Sequence, residues 1–446
     1  MSGLPFSWVT SPLGAFTIDC GQRIPEETEE FKYIDIGSVN RDTKRIETPQ
    51  QLLGKNAPSR ARKHVKAGDV LVSMTRPNLN AVALVPDELD GQIASTGFDV
   101  LRASSGIEHR WVSYLVRTDA FVEAMSELVQ GALYPAVRPR DIRGFEAPLA
   151  PINEQKRIAD KLDAVLARVD ACRDRLDRIP AILKRFRQSV LAAATSGKLT
   201  EDWRGGDISS WTHERAADVC AKVQSGGTPK EGFTHDGIPF LKVYNIVNQK
   251  VAFDYKPQYI APAIHQGTMS KSKVQPGDVL MNIVGPPLGK VAIVPDSNPA
   301  WNINQAITLF RPSDRISTGW LYCILCGGEN IAEIVHETRG SAGQTNISLS
   351  QCRDFIFPVP SVEEQTEIVR RVDSLFEYAD RLEARYTSAR AQVEKLTPAT
   401  LAMAFRGELV PQDPNDEPAS VLLQRIHTQC NEPRVSKPSR NRREQG

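Results

Sequence analysis

Apolar positions along the chain alternate between short strand-like runs and two long helical repeats. Runs such as DVLVSM, AVALVP, IPFLKVYNIV, DVLMNIV and KVAIVP are bounded by Gly, Pro and Asn, which predicts strands joined by turns. Two other segments carry apolar or small residues at alternating spacings of four and three, which is a heptad seam. We therefore predict an α+β fold class, in which two strand-rich domains alternate with two long helices.

The two predicted helices are copies of one another. A gapless shift of 210 residues aligns 153–199 with 363–409. We expect the two seams to bury against each other as an antiparallel coiled coil, although each helix could instead pack on its own domain. Pro180 is expected to bend the first helix, because proline removes a backbone hydrogen bond. The predicted seam residues are Ile158, Leu162, Val165, Val169, Leu176 and Leu183 in the first helix, and Ile368, Val372, Leu375, Leu382, Val393 and Leu396 in the second.

Charge favours pairing of the helices. Residues 153–199 carry a net charge of +5 and residues 363–409 a net charge of −2, so flanking positions can form ion pairs. At about 1.5 Å per residue, the seam of the first helix would be roughly 48 Å long. This length is of the order of one to one and a half turns of B-DNA, at about 34 Å per turn. Such a rod could act as a rigid spacer between two similar domains.

A second repeat lies in the strand-rich parts. Residues 68–87, GDVLVSMTRPNLNAVALVPD, and residues 277–296, GDVLMNIVGPPLGKVAIVPD, are identical at 11 of 20 positions without a gap. The shared Gly, Asp, Val, Leu, Pro and Ala residues predict a common pair of strands. The differences concentrate at the tip: Ser73, Thr75, Arg76, Asn78 and Asn80 face Asn282, Val284, Gly285, Pro287 and Gly289.

Composition is that of a globular protein with more than one domain. The chain has 446 residues, 41% hydrophobic and 24% charged, with a net charge of only +1. No apolar run is long enough to cross a bilayer, and the first residues do not resemble a signal peptide, so we expect a cytoplasmic protein. Seven scattered cysteines predict reduced thiols. Cys323 and Cys326 form a CxxC in an apolar segment, which favours a core position over a metal site.

Segments that resemble catalytic motifs lack the residues or the spacing that those motifs require. GPPLGKV, residues 285–291, has three residues between its glycines where a phosphate loop needs four. SNPAWN, residues 297–302, resembles the adenine methyltransferase box but lacks its second proline and a glycine-rich cofactor loop. The seven histidines form no HExxH motif. The pattern indicates a binding protein without a reaction of its own. The alternatives are a coiled-coil scaffold for proteins or peptides and, less favoured, a self-contained DNA methyltransferase.

Short motifs at the ends of each helix carry a family resemblance. PINEQKRI and PSVEEQTEI open the two helices, and LAAATSGKLTEDWR and LAMAFRGELV close them. With the repeat of about 210 residues, the chain resembles the specificity subunit of type I restriction-modification enzymes, in particular the enterobacterial branch.

The resemblance implies a non-catalytic DNA-recognition subunit. Two target recognition domains would each read one half of a bipartite double-stranded DNA target, and the coiled coil would set their spacing. The helices would dock two modification subunits, which bind S-adenosylmethionine and methylate adenine. Two restriction subunits, the motor-nucleases that use ATP and Mg, would complete the assembly. No cofactor is expected on this chain itself.

The resemblance and the repeats together give a domain plan. We predict recognition domain 1 at 1–150, the first conserved helix at 151–204, recognition domain 2 at 205–360, the second helix at 361–410 and a tail at 411–446. The tail is expected to hold a short amphipathic helix and a disordered basic end.

Three segments are candidates for DNA contact, because they place Arg, Lys, Asn, Gln and Thr on loops. The first is the tip of the repeated strand pair, the second precedes each long helix, and the third is YNIVNQK after a predicted strand. The predicted DNA-binding residues are Thr75, Arg76, Asn78, Asn80, Tyr134, Arg138, Arg140, Lys242, Tyr244, Asn245, Asn282, Lys290, Gln344, Thr345 and Asn346.

Overall fold

The computed structural model describes residues 3–129, 135–206, 208, 210–337 and 346–431. Two compact units divide the chain. Unit 1 comprises residues 1–176 and 388–446, and unit 2 comprises residues 177–387. Each unit therefore contains one strand-rich domain, part of the first long helix and part of the second.

Unit 1 is built from four sheets. Its strands are β1 (Val9–Pro12), β2 (Thr17–Asp19), β3 (Glu30–Ile34), β4 (Val39–Asn40), β5 (Arg45–Ile46), β6 (Gln50–Leu53), β7 (Ala61–His64), β8 (Val70–Ser73), β9 (Val82–Leu84), β10 (Ile93–Ser95), β11 (Phe98–Ala103) and β12 (Glu146–Leu149). The two larger sheets have the strand orders β2-β11-β8-β9 and β6-β3-β10-β7, and β1 pairs with β12 and β4 with β5. All pairs are antiparallel except β3 with β10.

Unit 2 repeats this arrangement sheet for sheet. Its strands are β13 (Thr212–Arg215), β14 (Lys222–Ser225), β15 (Ile238–Leu241), β16 (Ile246–Val247), β17 (Lys250–Val251), β18 (Tyr259–Ile260), β19 (Lys273–Val274), β20 (Val279–Asn282), β21 (Val291–Ile293), β22 (Trp301–Ile303), β23 (Ile307–Arg311) and β24 (Ile356–Val359). The orders are β14-β23-β20-β21, β18-β15-β22-β19, β13-β24 and β16-β17, and β15 with β22 is again parallel. The duplication thus extends through segments whose sequences show little similarity.

The helices of the described residues confirm the predicted mixed architecture, in which strand-rich halves are separated by a long helix. They are α1 (His109–Leu115), α2 (Asp119–Glu127), α3 (Pro139–Arg143), α4 (Ile152–Thr195), α5 (Glu201–Arg204), α6 (Ala216–Val219), α7 (Pro262–Gln266), α8 (Thr318–Gly327), α9 (Glu329–Glu337), α10 (Leu349–Asp354), α11 (Val362–Phe405) and α12 (Ala419–Asn431). Pro180 lies inside α4 and Pro398 inside α11 without ending either helix.

Each unit packs the start of one long helix with the end of the other. In unit 1, Ile158 and Leu162 of α4 share a core with Leu401 and Phe405 of α11. In unit 2, Val190 and Leu191 of α4 share a core with Ile368 and Val372 of α11. Both helices also pack on the strand-rich domain of their unit, so the two packing modes that the sequence left open occur together.

Ion pairs join the helices, as their opposite net charges predict. In unit 1, Arg173 lies 3.7 Å from Glu394. In unit 2, Arg187 lies 2.7 Å from both Asp380 and Glu383. In unit 1 the earlier part of α4 therefore meets the later part of α11, and in unit 2 the later part of α4 meets the earlier part of α11, which is the antiparallel sense.

The predicted seam residues differ in burial along the helices. Ile158, Leu162, Val169, Leu183, Ile368 and Val372 are buried, whereas Val165, Leu176, Leu375, Leu382 and Val393 are partly buried. Leu396 is 45% exposed, which corrects its assignment to the seam. The apolar positions that continue α11 into the core of unit 1 are Leu401, Ala404 and Phe405.

The Glu-Gln pair at the start of each long helix ties the unit together. Glu154 is buried and accepts a hydrogen bond from the Trp8 indole at 2.9 Å, and its equivalent Glu364 accepts one from the Trp211 indole at 2.9 Å. Gln155 accepts from the backbone N–H of Glu108, just before α1, at 3.0 Å. The motif that marks the helix start thus fastens the first strand and the first domain helix to α4.

The two buried glutamate carboxylates have different hydrogen-bonding and ion-pair partners. Glu364 pairs with Arg204 and also accepts from the Thr200 hydroxyl at 2.8 Å. Glu154 accepts from the Gln412 amide at 2.5 Å, and burial raises the pKa of its carboxyl above the usual range. Glu154 therefore depends more strongly on its neutral hydrogen-bond donors.

We expect Trp8→Phe to destabilise unit 1 by about 1–3 kcal/mol, because a buried carboxylate oxygen loses its donor. Trp211→Phe is the matched control in unit 2, since both indoles pack edge-on against a second tryptophan. The control should cost less, because Glu364 keeps Arg204 and Thr200. Hydrogen exchange of β1 and β13 would measure the two losses, and an equal or larger loss for Trp211→Phe would contradict the role given to Glu154.

The tail completes unit 1. Ala419, Leu422 and Ile426 of α12 are buried in the same core as Trp8 and Trp111. The amphipathic helix predicted in the tail is thus α12, and the predicted disordered basic end lies outside the described residues.

Candidate nucleic-acid interface

The repeated strand pair is a rigid support in both units. Gly68 and Gly277 take positive φ of +83° and +86°, a conformation that favours glycine. The next residue, Asp69 or Asp278, is 1% exposed and binds an arginine with both carboxylate oxygens. The Asp69 carboxylate accepts two hydrogen bonds from the Arg102 guanidinium, both at 2.7 Å. The Asp278 carboxylate accepts two from the Arg311 guanidinium, at 2.8 and 2.7 Å. The shared residues of the repeat hold β8 and β20 in place.

The tip between β8 and β9 projects polar side chains from this support. Thr75, Arg76 and Asn78 are exposed, and Asn80 is partly buried. Arg76 and Asn80 both adopt left-handed backbone conformations, with φ of 49° and 43°, on either side of a short 3₁₀ turn. The backbone is thus fixed in a conformation that is uncommon outside glycine.

The segment before the long helix lies directly beside this tip. In unit 1, the Arg76 N–H donates to the Pro135 carbonyl at 2.8 Å, and the Val137 N–H donates to the Met74 carbonyl at 2.9 Å. In unit 2, the Ile347 N–H donates to the Ile283 carbonyl at 2.9 Å, and Val284 bridges to Asn346. Two candidate segments that are far apart in the sequence therefore form one surface in each unit.

In unit 1 this surface is basic and polar. Arg138 and Arg140 are exposed beside the tip that carries Arg76, and the Arg140 side chain is 75% exposed. The Arg138 N–H donates to the Asp141 carboxylate at 2.8 Å, which fixes the start of α3. Tyr134 lies outside the described residues. Guanidinium and amide groups held on a fixed backbone can contact phosphates and base edges.

The corresponding surface of unit 2 has a different composition. Asn346 is exposed and Lys290 is partly buried. The tip itself is Gly285, Pro286 and Pro287, with no charged side chain. Gln344 and Thr345 lie outside the described residues. The two units therefore present different side chains on the same support.

Asn282 is a structural residue, which corrects its assignment to DNA contact. It is 0% exposed. Its amide donates to the carbonyls of Val284 and Pro287 at 2.9 Å each, and its oxygen accepts from the Lys290 N–H at 2.6 Å. All its hydrogen-bonding groups are used in bracing the tip of unit 2.

The third candidate segment also contains a structural asparagine. Asn245 is 1% exposed, accepts from the Lys242 N–H at 2.9 Å and donates to the Tyr255 carbonyl at 2.8 Å, so its assignment to DNA contact is wrong. The Lys242 ammonium lies 4.5 Å from the ring centre of Phe233, and the Tyr244 hydroxyl donates to the Lys256 carbonyl at 3.3 Å. Burial raises the pKa of Tyr244. Both partly buried side chains already have partners in the fold.

Lys44 is a residue of the surface that the sequence did not indicate. Its ammonium donates to the Asn80 carbonyl at 2.6 Å and so holds the end of the tip between β8 and β9. Burial, together with a smaller effect of the nearby charge of Arg117, lowers the pKa of Lys44 to about 8. The contact joins residues 36 positions apart, and no local pattern announces it.

Other kinds of site find little support among the described residues. In that part of the chain, no three His, Cys, Asp or Glu side chains form a group able to hold a metal ion. Cys323 is buried and Cys326 partly buried, and burial raises both thiol pKa values to about 12. Over the same described residues, no helix is both long and apolar enough to cross a membrane.

Comparisons with known proteins agree on one family. The model of the type I restriction modification DNA specificity domain matches residues 208–389. The chain is 33% identical over 316 residues to the type I restriction enzyme EcoBI specificity subunit of Escherichia coli, a match covering 64% of this chain and 65% of that subunit. It is 26% identical over 453 residues to the StySPI specificity subunit of Salmonella potsdam, which covers 95% of both.

A solved structure extends the likeness to the fold. One chain from a structural study of complex assembly and conformational transition in the type I R-M system superposes with a TM-score of 0.78 at 29% identity. The match covers 92% of this chain and all of that one. The sequence comparison and the structure comparison therefore both find proteins of type I restriction-modification systems.

Proposed function

We propose that the chain, which is similar in sequence and fold to DNA specificity subunits of type I restriction-modification enzymes, reads a bipartite double-stranded DNA target, one half with each unit. In unit 1 the reading surface comprises the 75–80 tip and the exposed arginines of 138–140. In unit 2 it comprises the 284–290 tip and the segment around Asn346. The long helices set the spacing of the two half-sites.

One observation carries this proposal: the same four sheets occur in the same strand order in both units, yet the paired loops at the tips differ in chemistry. Two domains that share one fold but differ in their tip loops are suited to recognising two different short DNA sequences. The tip of unit 1 offers Arg76 and Asn78 for guanine and adenine edges. The tip of unit 2, with Gly285 and two prolines, lets the backbone approach DNA closely.

We further propose that the chemistry belongs to partner subunits. Two modification subunits docked on the long helices would bind S-adenosylmethionine and methylate adenine in each half-site. Two restriction subunits would supply the motor and nuclease with ATP and Mg. This chain would then contribute recognition and spacing without a cofactor of its own, in the cytoplasm of its host. Phosphate contacts shared across such an assembly would explain why a chain of net charge +1 can bind DNA.

Methylation mapping of the host genome tests this function. We expect one bipartite methylated motif that disappears when the chain is deleted. A purified complex with the modification subunit should then bind a duplex carrying that motif, and inserting or removing one or two base pairs in its spacer should abolish specific binding. Specific binding that survives such spacer changes would contradict the proposal that the long helices fix the spacing of the half-sites. Binding of S-adenosylmethionine by the chain alone would contradict the proposal that partner subunits carry out the methylation.

A further inference from the structure

The end of unit 1 that holds the start of α4 is covered by the tail of the chain. The Ala419 N–H donates to the Ser7 carbonyl at 2.9 Å, and the Gln412 amide donates to Glu154. The Leu422 side chain packs over Gly106, with its methyl group 3.1 Å from where a Cβ would lie. Helix α12 thus seals the junction of β1, α1 and α4.

Unit 2 has the same junction, and each contacted residue has an equivalent there. Ser7 precedes Trp8, and Ser210 precedes Trp211; both tryptophans donate to the glutamate at the start of a long helix. Gly106 and Arg315 each stand three residues before a domain helix, α1 or α8. In unit 2, Ser210, Arg315 and Glu364 line an open cleft of about 570 Å³.

Apolar side chains are exposed at this cleft. Val362 is 46% exposed and Trp203 is 47% exposed, and both line it. At the equivalent of Val362 in unit 1, Ile152 packs against the core that contains α12. Among the described residues of unit 2, no helix occupies the place that α12 takes in unit 1, because the chain continues from α5 into β13.

We propose that this cleft of unit 2 is a docking site for an amphipathic helix of another polypeptide. Helix α12 defines the apolar requirement: buried residues at 419, 422 and 426 lie three and four positions apart on one face. The charges of the lining also differ, and opposite Leu422 the difference is that Arg315 replaces Gly106. The Arg315 side chain is 54% exposed and pairs with Glu214. Asp314 also lines the cleft.

The partner helix therefore carries a carboxylate where α12 carries Leu422. A guanidinium has five N–H donors, so Arg315 can serve Glu214 and a second carboxylate together. Docking at this cleft involves none of the proposed DNA-reading residues, and its success or failure is separable from DNA recognition.

A synthetic peptide tests the site on the full chain. The probe is residues 411–431 of this protein with Leu422→Glu, labelled for fluorescence anisotropy. Glutamate at this position suits Arg315, and it prevents the peptide from replacing α12 in unit 1, where Leu422 is 3% exposed. We expect one peptide to bind per chain.

Three chain variants make the result specific. Val362→Asp should weaken binding at least tenfold, and Ile24→Asp, at a 69% exposed position of unit 1, should leave it unchanged. Arg315→Gly should reverse the preference, so that the unaltered 411–431 peptide binds more tightly than its glutamate form. No binding to the wild-type chain, or binding indifferent to Val362→Asp and Arg315→Gly, would overturn the proposal. Gel shift of the cognate duplex by the Val362→Asp variant should be unaffected.

Discussion

Replacing Asp69 with alanine should destabilise unit 1 by about 3–5 kcal/mol, because it removes one partner of a buried ion pair. The carboxylate is 1% exposed, and Arg102 would lose both of its short hydrogen bonds to it. The Lys66 N–H, which donates to the same carboxylate at 2.8 Å, would also lose its acceptor. Asp278→Ala should have an equivalent effect in unit 2, where Asp278 binds Arg311 and the Gln275 N–H.

The repeat provides its own controls. Asp87 and Asp296 close the same repeated stretch but are exposed, so their alanine variants should change stability by no more than about 0.5 kcal/mol. Hydrogen exchange of β8 and β20 would report each unit separately. A loss in both units from Asp69→Ala alone, or a loss from Asp87→Ala as large as that from Asp69→Ala, would contradict the role given to the buried pair.

The sequence predicts the parts of this fold that repeat in period and composition. Heptad spacing identified the long helices, and the GDVL and VPD ends of the repeat identified β8, β9, β20 and β21. The full duplication of four sheets could not be read from the sequence, because hydrogen bonding between backbones fixes strand order without requiring particular side chains. Strands β3 and β15 thus occupy equivalent places although their sequences, EFKYI and IPFL, share no identical residue at equivalent positions.

The candidate site was predictable in position but not in the role of each residue. Asn282 and Asn245 have the residue type that reads adenine, yet both brace turns through three hydrogen bonds. Composition cannot separate these roles, since the same amide that suits a base edge also suits a backbone carbonyl. Lys44 was missed for the opposite reason: its contact with Asn80 depends on tertiary structure alone.

Arg76→Ala should weaken binding of the cognate duplex by about 5- to 150-fold, the range that corresponds to roughly 1–3 kcal/mol for a guanidinium bound to a base edge. The Arg76 contact to Pro135 runs through the backbone N–H, so the tip keeps its support after the side chain is removed. Asn346→Ala should have a comparable effect through unit 2. Arg406→Ala is the control, because that guanidinium already pairs with Glu408 at 2.7 Å.

The salt dependence of binding separates the two possible roles of Arg76. If it contacts a base, affinity for random DNA should stay constant and specificity at one position of the target should relax. If it contacts a phosphate, affinity should fall for all sequences, and the slope of binding against salt should decrease by about one. Assembly with the modification subunit should survive in either case, since Arg76 lies in the strand-rich domain and not on the long helices. Unchanged affinity for the cognate duplex would remove Arg76 from the reading surface and leave Arg138 and Arg140 as its cationic groups in unit 1.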